Sequence, residues 1–142
     1  MKVFLDSNIL FSICWSGKEI SRTGLFFDLQ RQAYIQLFIS RLVHDETLFN
    51  LQTKRPESVE LFNQLVAELT QLQDNFGLTA HPQIMRLPLN DRVIFMTALA
   101  HGMEYFITGN RRDFSDLYGQ RVGAMLTLKP VDFLNKNFEV AG

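Results

Sequence analysis

The chain has 142 residues, 46% hydrophobic and 12% aromatic, with a formal net charge of -1. That length fits one ordinary domain, taken as residues 1–142, and the apolar content supports a sizeable core and excludes a disordered chain. A charge near zero does not advertise a basic coat for nucleic acid and leaves room for a local basic rim around an acidic site, so net charge alone decides nothing.

The N-terminus begins with an apolar, strand-forming run, Val3-Phe4-Leu5, that delivers Asp6 and Asn8 to the carboxyl end of a buried strand. An acid there needs solvent, a hydrogen-bonding role or a metal, because it gives up the easy burial of its neighbours. The apolar residues 9–15 predict a short helix ending near Gly17. The single cysteine, Cys14, has no internal disulfide partner and is expected to pack as a small hydrophobe in a reducing compartment. With no cleavage signal and no apolar run long enough to span a bilayer, a cytoplasmic location without membrane contact is expected.

Ser21 or Thr23 opens a second helix carrying Leu25, Phe26, Leu29 and Ala33 on one face. Residues 35–40 read as a second strand, followed by a helix with Leu42, Val43, Leu48 and Leu51. Pro56 then starts an amphipathic helix through Val59, Phe62, Leu65, Val66, Leu69 and Leu72, closed by Gly77. After the His81-Pro82 turn, residues 84–87 predict a short strand, and Pro88-Leu89-Asn90-Asp91 begins a helix that Gly102 closes. Residues 105–108 form a further buried strand running into Gly109-Asn110-Arg111-Arg112-Asp113-Phe114. A strand at residues 124–126, a Lys129-Pro130 turn and a helix through Val131, Phe133 and Leu134 complete the chain. This alternation predicts an α/β fold: a parallel sheet of four or five strands with helices on both faces.

Right-handed crossovers bring successive parallel strand ends to one edge of the sheet. Asp6, Asn8, Asp91, Asn110 and Asp113 all fall at such ends or at the helix starts that follow them, and Glu46 lies about a turn and a half into the helix after the second strand. Carboxylates gathered at one edge repel one another unless a cation lies between them, and an all-oxygen donor set suits Mg²⁺ or Mn²⁺. One or two such ions activate water and neutralise the charge that builds on a phosphoryl group during in-line attack. Each residue also has a plain structural role open to it: a helix cap for Asn8, Asp91 and Asp113, and a solvated helix position for Glu46. Arg111 and Arg112 are within reach of a substrate phosphate, although adjacent loop residues cannot both face one way. Lys18 and Arg22 are weaker candidates for the opposite rim. The helices between residues 21 and 73 carry more large apolar groups than a small sheet needs, Phe26, Phe27, Phe49, Phe62 and Leu69 among them, and these serve either the core or a dimer or partner face.

In order, Val3-Phe4-Leu5-Asp6-Ser7-Asn8-Ile9-Leu10, Ser40 with Glu46, Asp91 leading into residues 94–100, and Tyr105-Phe106-Ile107-Thr108-Gly109-Asn110-Arg111-Arg112-Asp113-Phe114 resemble the PIN-domain ribonucleases, including the VapC-like toxins of bacterial toxin–antitoxin pairs. The likeness extends to the closing Leu126-Thr127-Leu128-Lys129-Pro130 with Phe133-Leu134. It implies a three-layer α/β/α domain and a metal-dependent endoribonuclease that prefers single-stranded RNA. It further implies that Asp6, Glu46, Asp91 and Asp113 serve catalysis, with Asp6, Asp91 and Asp113 on Mg²⁺ or Mn²⁺, and that Asn8, Thr108 and Asn110 support the site. A cognate antitoxin and a homodimer come with the toxin branch. Many relatives carry an acid directly after Thr-Gly where this chain has Asn110, so a second ion is expected to bind more weakly. Two alternatives stand beside this reading. One is a decayed PIN-like module that binds RNA or protein without catalysis. The other, an aspartyl-phosphate phosphatase with Asp6 as nucleophile, wants a second acid at position 8, where this chain has Asn8.

Overall fold

The computed structural model describes residues 1–17, 24–77 and 81–138. Its centre is a six-stranded sheet in the order β3-β2-β1-β4-β6-β5, made of β1 (Lys2–Leu5), β2 (Gln36–Ser40), β3 (Thr70–Leu72), β4 (Tyr105–Ile107), β5 (Arg121–Val122) and β6 (Met125–Leu128). Neighbouring strands are parallel except for the β5/β6 hairpin, which turns through Gly123 at φ 59. The helices are α1 (Ser7–Ser16), α2 (Leu25–Arg31), α3 (Arg41–Lys54), α4 (Val59–Val66), α5 (Pro82–Met85), α6 (Leu89–Ala100), α7 (Arg111–Phe114) and α8 (Pro130–Asn137).

Strand alternation separates the two faces of the sheet. Phe4 and Phe106 lie side by side with ring centroids 5.5 Å apart on β1 and β4, and Phe95 of α6 and Phe114 of α7 pack on Phe106 from the same side. Tyr105 points to the other face, where it meets Phe133 of α8, which in turn stacks on Phe26 of α2. Val3, Phe4 and Leu5 have no exposure at all, as a central parallel strand covered on both faces requires. Among the described residues no helix is long and apolar enough to cross a membrane.

Three expectations need correction. The sheet has six strands where four or five were expected, because β3 and β5 are short edge strands. The helix expected from residue 56 to residue 72 stops at Val66, and Thr70–Leu72 joins β2 as a parallel edge. Leu69 and Leu72 fit helical spacing, but the chain turns at Ala67 and the edge of β2 offers backbone partners that a further helical turn would leave open. Gly77 closes no helix; its N–H donates to the Asn75 side chain at 2.7 Å. Residues 84–87 are not a strand: Pro82 opens α5, which ends at Met85, and the buried Leu87 follows in a turn closed by its N–H on the Ile84 carbonyl at 3.1 Å. Four apolar-rich residues carry both periodicities, so the flanking proline decides. The expected helix start at Ser21 or Thr23, and Lys18 and Arg22, lie outside the described residues.

Candidate active site

β1 sits between β2 on one side and β4 on the other, so the connections leave it in opposite directions and the chain opens a crevice beyond the carboxyl ends of β1 and β4. Asp6 is the first residue past β1. Its backbone N–H donates to Ile107 at 2.9 Å, and its side chain, 1% exposed, is fixed by three donors. Oδ1 accepts the Ser7 N–H at 2.8 Å, and Oδ2 accepts the Thr108 hydroxyl at 2.8 Å and the Asn8 amide at 3.1 Å. Asp6 is thus itself the N-cap of α1.

Thr108 and Asn8 knit the two strand ends together. The Asn8 amide also donates to Thr108 Oγ1 at 3.2 Å, its Oδ1 accepts the Gly109 N–H at 2.7 Å, and Thr108 Oγ1 takes the Asn110 N–H at 3.1 Å. A Cβ on Gly109 would come within 3.2 Å of Asn8 Oδ1, which is why the position after Thr108 is glycine. Tyr118 closes the back, its hydroxyl donating to the Thr108 carbonyl at 2.8 Å. Thr108→Val removes one donor and two acceptor contacts at once and should lower stability by about 1–3 kcal/mol in urea unfolding, while Thr108→Ser keeps most of it.

The other acids come from the neighbouring helices. Glu46, half-buried on α3, accepts the Ser7 hydroxyl at 3.0 Å through Oε1 and the Asn90 amide at 3.2 Å through Oε2. Asp91, in the first turn of α6, lies within hydrogen-bonding reach of Asp113. Asp113 accepts the Asn110 amide at 2.9 Å and Arg112 at 3.4 Å. None of Asn8, Asp91 and Asp113 serves as a helix cap: α6 has Pro88 at its N-cap with no side-chain cap bond, and α7 is capped by Asn110.

Electrostatics follow from this crowding. Burial first, then repulsion from Glu46, lifts the Asp6 carboxyl to about 6, against the pull of Thr108, Ser7 and Asn8. Burial first, then Asp6, Asp113 and Glu46, lifts Asp91 to about 7, so near neutrality its protonated form, which can donate to Asp113, and its ionised form coexist. Asp113 is held below the usual range, chiefly by Asn110. Burial pushes the Cys14 thiol up to about 12, an unreactive packing group.

The donor set is all oxygen, and its mutual repulsion is what a divalent cation relieves. Among the described residues, however, no three acids, histidines or cysteines stand together as a ready metal cluster, and Glu46, Asp6 and Asp113 each accept hydrogen bonds from protein donors. An ion held there would compete with the proton on Asp91 and with the Asn110 amide on Asp113. The Asn110 Oδ1, the atom an ion would want, is taken by the Asp113 N–H at 3.2 Å.

Arg111 and Arg112 diverge. Arg112 leans on Asp113 and is largely solvated, whereas Arg111 lines a hollow with Gly109, Lys129 and Pro130, where Lys129 lies 5.1 Å over the Tyr118 ring. Ser7, Asn90, Tyr118 and Lys129 were not singled out for the site from the sequence. Ser7 between Asp6 and Asn8, and Asn90 just before Asp91, had position as their only signal.

No protein-family model matches the chain, and no curated protein matches it. Solved structures do. VapBC2 from Rickettsia felis, bound to a DNA fragment from their promoter, superposes with a TM-score of 0.64 at 14% identity over 91% of this chain and 98% of that one. VapBC-1 from nontypeable Haemophilus influenzae gives 0.55 at 16% identity over 92% and 99%. Likeness at such identities speaks for the fold, and the chain has the α/β architecture of the PIN domain that its sequence resembles.

Proposed function

We propose that this chain is a single-domain, Mg²⁺- or Mn²⁺-dependent endoribonuclease of the cytoplasm that cleaves single-stranded RNA as the toxin of a toxin–antitoxin pair. The observation that carries the reading is that Asp6, Glu46, Asp91 and Asp113 come within electrostatic reach of one another, with Asp6 and Asp91 lifted towards neutrality by burial first and by acidic neighbours second.

In this reading Asp6 and Asp91 hold the ion, with Asp113 beside them, and Asn8, Ser7 and Thr108 keep Asp6 oriented. A bound Mg²⁺ or Mn²⁺ supplies Lewis acidity, lowering the pKa of water and offsetting negative charge on the phosphodiester. Glu46, aimed by Ser7 and Asn90, is placed to take a proton from an attacking water. Arg111, with Lys129 beside it, holds a phosphate on the β6 side of the crevice. An antitoxin partner is supported by the likeness to VapBC complexes. The exposed Phe76 and Leu89, which share a hollow with Met96, offer an apolar face for such a partner or for a second copy in a homodimer.

One observation favours a second reading, a catalytically silent binding module: Asn110, standing where many relatives have an acid, has its side-chain oxygen engaged in capping α7. Calorimetric titration with Mn²⁺ separates the two. The nuclease reading expects saturable binding that the Asp91→Asn variant loses; no heat at millimolar metal leaves the binding module.

A further inference from the structure

A band of side chains leads away from the acids along the groove between α1 and α3. On α1, Asn8, Phe11 and Trp15 recur at helical spacing on one side, and on α3, Glu46, Asn50 and Lys54 recur every four residues. The two stripes face each other: Ser7 bonds Glu46 at one end, and Ser7, Asn8, Phe11, Asn50 and Lys54 line one hollow. Phe11, Trp15 and Lys54 continue into the next. The band therefore changes character along its length, from carboxylates through amides to aromatic rings and cations.

Its far end is unusual for a free surface. Trp15 is 40% exposed, with its ring centroid 5.5 Å from that of Phe11. Arg55 lies 4.7 Å over the Trp15 ring and Lys54 5.9 Å over Phe11. Flat rings beside cations are what a single strand needs: a π-face for each base and positive charge for the phosphates between them. A covered core site would bury Trp15, and a plain solvated helix face would not carry two aromatics.

We propose that Phe11, Trp15, Lys54 and Arg55 form a stacking platform for unpaired RNA bases flanking the phosphodiester held at Asp6. The inference rests on the nuclease reading for what lies at the acidic end, but not for base binding itself. From Asn8 to Trp15 the helix rises about 10 Å, so the platform takes a short run of nucleotides and is indifferent to their identity. Charge complementarity favours RNA over a basic or apolar peptide, because Lys54 and Arg55 beside the two rings match a strand that carries a phosphate for every base.

Trp15 is the only tryptophan of the chain, so its fluorescence reports this platform alone. The test titrates the intact protein with an oligoadenylate in chelator, where no cleavage occurs, and with an abasic ribose-phosphate strand of equal length. The expected result is saturable quenching by the oligoadenylate and little by the abasic strand. By anisotropy of a labelled oligoadenylate, Trp15→Ala should weaken binding roughly 5- to 100-fold, the range for loss of one stacked base, and Trp15→Phe far less. Lys54→Ala, on an exposed side chain, should weaken binding more at low salt than at high salt. Unchanged fluorescence, equal quenching by the abasic strand, or unchanged affinity in Trp15→Ala overturns the platform and leaves the face to a protein partner. Quenching without any metal-stimulated cleavage keeps the platform and sinks the nuclease instead.

Discussion

Replacing Asp91 with asparagine should raise the melting temperature of the metal-free protein at pH 8 while lowering RNA cleavage at least about 100-fold. The two effects have one cause. Asp91 is lifted to about 7 because burial, Asp6, Asp113 and Glu46 all oppose its charge, so above that pH the folded state carries an unfavourable anion. An amide in its place donates to Asp113 without needing a proton. One opposing effect is the loss of an acid from the first turn of α6, which costs about 0.5 kcal/mol. The relief is larger, on the order of 2 kcal/mol after allowing for the partial exposure of Asp91, equivalent to several degrees. Differential scanning calorimetry in chelator reads the gain. A variant that is both inactive and less stable would mean that Asp91 is structural.

The second large effect is a pH dependence that metal reverses. Asp6 and Asp91 have folded-state values near 6 and 7, above the 3.8 of an unfolded aspartate. Their contribution to stability is therefore complete below about pH 4 and is lost as pH rises through 7. For Asp6 alone, a shift of about two units corresponds to roughly 3 kcal/mol. Asp113, held low, works the other way, but only below its unfolded value, outside this window. Metal-free protein should accordingly unfold at lower urea at pH 8 than at pH 5. Excess Mn²⁺ should leave the pH 5 midpoint nearly unmoved and raise the pH 8 midpoint, by about 2.7 kcal/mol at a hundredfold excess over Kd. A metal effect of equal size at both pH values would place binding elsewhere than on these carboxyls.

Much of this site was legible in the sequence because its main parts are local. Val3-Phe4-Leu5 before Asp6 announced both a central strand and an acid at its tip, and Tyr105-Phe106-Ile107-Thr108 repeated that pattern on the strand now seen next to it. What joins Glu46 to Ser7 and Asn90 was not legible, since it depends on how α1, α3 and α6 meet. The misread elements are short and sit at edges. Thr70–Leu72 is a strand only because β2 offers it an edge, and residues 82–85 are a helix because Pro82 starts one. The dibasic Lys54-Arg55 end of α3 stood in plain view, but its meaning came from Phe11 and Trp15 across the groove.

The most direct test of the central claim is cleavage of a single-stranded oligoribonucleotide by purified protein, beside Asp6→Asn purified identically and shown by circular dichroism to be folded. Wild-type protein should cut with Mg²⁺ or Mn²⁺ and stop in chelator, and Asp6→Asn should not cut. Equal metal-stimulated cleavage by both preparations would contradict the account.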